Sequence, residues 1–153
     1  MKFNNLDNTK IFDDFWNKYG KSLRFINDII VKSSNDDSDI NNPYGFIPNS
    51  IPLTIKRYSI SCSRFNFSPK EEFALIAHEF GHAYIQENIL QFSDILEEEC
   101  NADDYAVNLG LGNELKSALE KMRNNYQDKS GGFLKIFGLR DPEKDLEKRI
   151  ARL

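Results

Sequence analysis

Apolar residues recur at three- and four-residue steps through Phe12, Phe15, Trp16, Tyr19, Leu23, Ile26 and Ile30. This spacing predicts one amphipathic helix over about residues 11–32. The polar run from Ser33 to Asp39, followed by Asn42-Pro43-Tyr44-Gly45, predicts a mobile loop over 33–50. Within 51–67 the composition is β-rich. Tyr58, Ile60 and Cys62 alternate with Ser59, Ser61 and Ser63, which predicts a strand from Tyr58 to Phe67 with one wet face.

The next start is well punctuated. Ser68 can cap a helix, Pro69 suits its first position, and Glu71 lies three residues after Ser68 as in a capping box. This helix is expected to run to Asn88 or Leu90. Two more are expected over about 93–109, stopped by Gly110, and over about 112–128. Ser130-Gly131-Gly132 breaks the pattern, Phe133 to Leu139 reads as strand-like or irregular, and Asp141-Pro142 opens a C-terminal helix over 141–153. The pattern is that of a mainly helical α+β chain, with no repeat and no linker that would divide 1–153 into two domains.

A chain of 153 residues, 40% of them apolar, can bury a core as one domain. Its net charge of −4 argues against nucleic acid as a partner. The first ten residues lack the apolar core of a secretory signal, and Phe73 to Ala77 is far shorter than the roughly 20 residues that span a bilayer. Cys62 and Cys100 make no disulfide scaffold and fit a reducing compartment. The expectation is a cytoplasmic protein without a transmembrane segment.

The two His are the informative residues, because both fall in His78-Glu79-Phe80-Gly81-His82. Imidazoles four residues apart on a helix share a face and can converge on one metal ion. The Glu between them can serve as general base toward a water at such a site. Gly81 costs about 1 kcal/mol of helix propensity relative to Ala. A close helix or sheet contact opposite the metal would explain it.

A catalytic zinc needs a third protein ligand and an open position. No His remains, and Ile85 and Asn88 stand where a metzincin would have Gly and His. The acids Glu97, Glu98 and Glu99 open the next helix, 15 to 17 residues past His82. Two antiparallel helices joined near 88–93 would return them to the His pair. Only Glu99 has an acid one turn later, Asp103, able to accept a hydrogen bond from the far nitrogen of a metal-bound His. Glu99 is therefore the expected ligand. Glu97 and Glu98 fit an acidic helix start, and Cys100 fits a small core residue.

His-Glu-x-x-His followed by Glu-x-x-x-Asp resembles the gluzincin metallopeptidases. More narrowly, Glu99 to Ala106 and Phe73 to His82 resemble the two site helices of the CAAX prenyl protease and heat-shock membrane protease family, with a weaker match at Arg149-Ile150. A soluble minimal form like the minigluzincins fits best. Asp141 replaces a family His, and the gap from His82 to Glu99 is shorter than in most members. The resemblance implies a zincin-like fold, with the active-site and ligand helices packed under a small β-sheet. It implies Zn2+ held by His78, His82 and Glu99, with Glu79 as the catalytic base. It also implies an extended peptide or flexible protein segment as substrate, paired with an edge strand, for which Tyr58 to Phe67 is the candidate. For the oxyanion, Arg149, Arg140, Tyr105 and Tyr84 come into question, and Arg149 carries the family match.

Two other readings stand beside the peptidase. One is a latent or inactive zinc-binding regulatory protein, its cleft blocked by the 33–50 loop or the C-terminal helix. The other is a helical interaction module whose motif is coincidental.

Overall fold

The computed structural model describes residues 1–6, 9–35, 40–126 and 141–153. These form six α-helices and one four-stranded sheet, an α+β arrangement dominated by helix. The strands are β1 (Phe3–Asn5), β2 (Ile29–Ser34), β3 (Tyr44–Ile47) and β4 (Leu53–Tyr58). Their order is β1-β2-β4-β3: β2 runs parallel to β1 and β4, and β3 runs antiparallel to β4 as an edge strand. The helices are α1 (Lys10–Tyr19), α2 (Ser59–Phe65), α3 (Pro69–Glu87), α4 (Ile95–Asn108), α5 (Gly112–Asn124) and α6 (Pro142–Arg152).

The helix expected over 11–32 is shorter. It ends at Tyr19, passes through a 3-10 turn at Gly20–Ser22, and gives way to β2. Trp16 folds over Gly20 so closely that a Cβ there would lie 2.8 Å from the indole. The three-to-four spacing beyond it is coincidental: Ile26 is 85% exposed, whereas Ile29 and Val31 are fully buried on the two-residue period of a strand. Ile29 pairs with Phe3 on one side and Leu53 on the other.

The strand expected from Tyr58 to Phe67 is also corrected. β4 ends at Tyr58, and Ser59–Phe65 is helix. Ser61, Cys62 and Phe65 are buried while Ile60 is 43% exposed, a helical rather than an alternating pattern. Asn66, at φ +51, closes α2 in the left-handed region that Asn tolerates. The 33–50 loop contains the end of β2 and all of β3, with 36–39 outside the described residues. The segment Phe133 to Leu139 and Arg140 also lie outside them.

α3 begins as expected. Ser68 Oγ accepts from the Glu71 amide at 3.2 Å, and Glu71 returns the bond to the Ser68 amide at 2.7 Å. From Phe73 to Gly81 every residue of α3 is buried, because the sheet, α1, α4 and α5 all pack on it. Phe15 of α1 stacks on Phe80 at 5.4 Å between ring centres. β3 and β4 are tied to α3 by Glu72, which accepts from Arg57 Nε at 3.0 Å and from the Tyr44 hydroxyl. At the far end Gln86 bonds the Asn49 amide at 2.6 Å and the Ser50 carbonyl at 3.3 Å. The helix that carries both His is thus tied at each end to the β3–β4 hairpin. No described helix is long and apolar enough to cross a membrane.

Candidate metal centre

His78 and His82 project from one face of α3, with their Nε2 atoms 3.1 Å apart. α4 returns beside α3 and brings Glu99 to both: Oε2 lies 3.4 Å from His78 Nε2, and Oε1 lies 3.3 Å from His82 Nε2. Ligands about 2.0–2.2 Å from a tetrahedral zinc are separated by roughly 3.3–3.6 Å. Two of the spacings, 3.3 and 3.4 Å, fall in that range and the third, 3.1 Å, is slightly short of it, so the three side chains could hold one small cation between them.

Both imidazoles are held from behind. His78 Nδ1 lies 2.8 Å from Asp103 Oδ1, so a proton on Nδ1 would leave the Nε2 lone pair able to ligate a metal. His82 Nδ1 lies 3.2 Å from Glu98 Oε1. Sequence reasoning assigned Glu98 to the helix start and missed this contact. The signal was present, because the second His also needs an acid at its far nitrogen. Glu97 does serve the helix start, accepting from the amide and hydroxyl of Ser93 at 2.8 and 2.7 Å.

Burial and neighbouring charges pull on the cluster in opposite directions. Burial and the Arg149 charge both press the His78 pKa down, but Asp103 and Glu99 outweigh them and leave it raised to about 10. Burial pushes Glu99 up, yet hydrogen bonds from His78 and His82 hold its carboxyl well below the usual carboxylate range. Asp103, fully buried, is lowered in the same way by His78 and Arg149.

A cavity of about 540 Å3 opens on this cluster. Its border includes Tyr44, Gly45 and Phe46 of β3, and His78, Glu79 and His82 of α3. Glu79, the expected base, is buried and borders this cavity beside the His pair. Leu75, Leu119, Met122 and Leu146 form an apolar wall.

Arg149 is also placed here, its shortest contacts going to carboxylates, with Nη2 also 3.4 Å from His78 Nδ1. Nε and Nη2 donate to Asp103 at 2.9 and 2.7 Å, and Nη1 donates to Glu99 Oε2 at 2.7 Å. Tyr84 and Tyr105 pack on each other at a 40° tilt with ring centres 5.7 Å apart, and do not border the cavity. Cys100 is half-buried on α4 and lies outside the His78, His82 and Glu99 cluster.

Gly81 owes its place to α4. A Cβ at Gly81 would lie 2.7 Å from both Cα and the carbonyl oxygen of Ala102. The close contact is with the helix that supplies Glu99, and it lets the two backbones approach enough for His78, His82 and Glu99 to meet.

Comparison of the chain with protein-family models, curated proteins and solved structures finds no match.

Proposed function

We propose that the chain is a zinc-dependent peptidase of the gluzincin type, akin to the minimal soluble forms that its motifs resemble. The observation that carries this reading is the convergence of His78, His82 and Glu99, their polar atoms 3.1 to 3.4 Å apart, in the cavity that Glu79 borders. Zinc at such a site supplies a Lewis acid that acidifies water and polarises a carbonyl. Glu79 would accept a proton on its carboxylate from the attacking water and pass it to the departing amine. His78 and His82 are kept in their ligating orientation by Asp103 and Glu98.

The edge strand that suits an extended substrate is β3, not Tyr58 to Phe67. One side of β3 pairs with β4, and Tyr44 to Phe46 border the cavity. The wall of Leu75, Leu119, Met122 and Leu146 suits an apolar substrate side chain.

The latent zinc-protein reading is favoured by one observation. Asn41 and Pro43, from the first expected plug, and Pro142 and Leu146, from the second, border the same cavity. Incubating the intact, zinc-loaded chain with an unstructured protein separates the two readings. Cleavage that a chelator stops supports the peptidase. Zinc at one per chain with every peptide bond intact supports the latent form.

A further inference from the structure

Glu99 and Asp103 sit one turn apart on α4, and both are sheltered from water. Two neighbouring carboxylates in such a place need a counter-charge. α6 supplies it through Arg149, which is 7% exposed. The guanidinium is a rigid planar fork, and here it works in two directions at once. Nε and Nη2 grip both oxygens of Asp103, while Nη1 takes Oε2 of Glu99 and leaves Oε1 facing His82. Asp103 in turn holds His78 Nδ1. One side chain of the C-terminal helix therefore orients two of the three ligands, Glu99 directly and His78 through Asp103. Arg152, one turn further on, docks the same helix on Asp104 at 2.8 Å and on the Cys100 carbonyl.

We infer that Arg149 is a positioning residue of the metal centre, and that docking of the C-terminal helix and metal binding form one linked equilibrium. The inference rests on the metal reading proposed above. It gives Arg149 a task different from donating to the substrate oxyanion. Linkage is reciprocal, so whatever α6 contributes to metal affinity, metal returns as protection of α6. A Lys at 149 would keep the charge but could not span Asp103 and Glu99 together.

The test is titration of the full chain with zinc and with cobalt(II), joined to hydrogen exchange over 142–152. The wild type is expected to bind one metal and to slow exchange in α6 when loaded. Arg149→Lys is expected to fold, to bind metal about 10- to 100-fold more weakly, and to show an altered cobalt absorption spectrum. Wild-type affinity and spectrum in Arg149→Lys would overturn the inference, since charge alone would then suffice. If that variant does not fold, Asp103→Asn with Arg149→Met removes the buried ion pair as a unit. Metal binding weaker in the folded double variant than in Asp103→Asn alone supports the inference, and equal binding in the two overturns it. A wild type that takes up no metal defeats the metal reading itself, and this shows before any Arg149 variant is made.

Discussion

Gly81 and Ala102 meet backbone to backbone: a Cβ on Gly81 would stand 2.7 Å from the Ala102 Cα and carbonyl oxygen. Neither atom can move aside by a rotamer change, so Gly81→Ala must push α4 away from α3. On an exposed helix the change would gain about 1 kcal/mol of propensity, but overpacking of this kind costs about 1–3 kcal/mol. Net destabilisation is expected, together with weaker metal binding, because Glu99 rides on α4. Thermal unfolding and zinc titration check it. A variant that melts higher and binds zinc normally would show that the crossing has slack.

Glu79→Gln separates binding from chemistry. Glu79 borders the cavity beside the His pair and is not among the three side chains of the candidate metal cluster, His78, His82 and Glu99. The variant is expected to keep one zinc and to lose cleavage by about 100-fold or more. Zinc loss would reassign Glu79 to the ligand set.

Two adjacent acids on α4 should behave differently. Glu98→Gln loosens His82, and zinc affinity is expected to fall by about tenfold, the low end for such partners because Glu98 is 42% exposed. Glu97→Gln should leave zinc affinity alone and cost about 1 kcal/mol or less of stability at the helix start. Equal effects on zinc affinity would contradict the assignment.

Glu71 couples stability to pH away from the metal. Burial pushes its pKa up, but Lys121 Nζ at 2.7 Å, Ser117 Oγ at 2.6 Å and the Ser68 amide outweigh burial and hold it below its ordinary value. A lowered carboxylate stabilises fully above its unfolded pKa of about 4.3, and that contribution fades as pH falls through the folded value. Glu71→Gln is expected to cost about 1–2 kcal/mol at neutral pH. Denaturant midpoints for this variant should decline less than those of the wild type as pH drops from 5 toward 3. Parallel declines would mean that the ion pair contributes nothing there.

How far the fold can be read from the sequence depends on how local each signal is. The start of α3 is written in four consecutive residues, Ser68 to Glu71, and the structure follows it. The meeting of Glu99 with the His pair follows from one turn and two helix periods. β2 could not be read in this way, because its ladders join Phe3 and Leu53, residues distant along the chain, and its Ile30 happens to continue the period of α1. α2 was masked similarly: serines alternating with apolar residues look like a strand, but Cys62 and Phe65 are drawn inward by packing that begins elsewhere. In the site, residue types and spacing brought out the cluster of His78, His82 and Glu99 and its neighbour Asp103. The Glu98 contact and the double grip of Arg149 depend on how α4 and α6 lie against α3, which no short stretch encodes.

The central claim is that His78, His82 and Glu99 hold one metal ion. Metal analysis of the purified full chain, beside His78→Ala and Glu99→Ala, tests it most directly. One zinc per chain that survives gel filtration, and is lost in both folded variants, is the expected result. A folded wild type with no stoichiometric metal after zinc-replete preparation would contradict it.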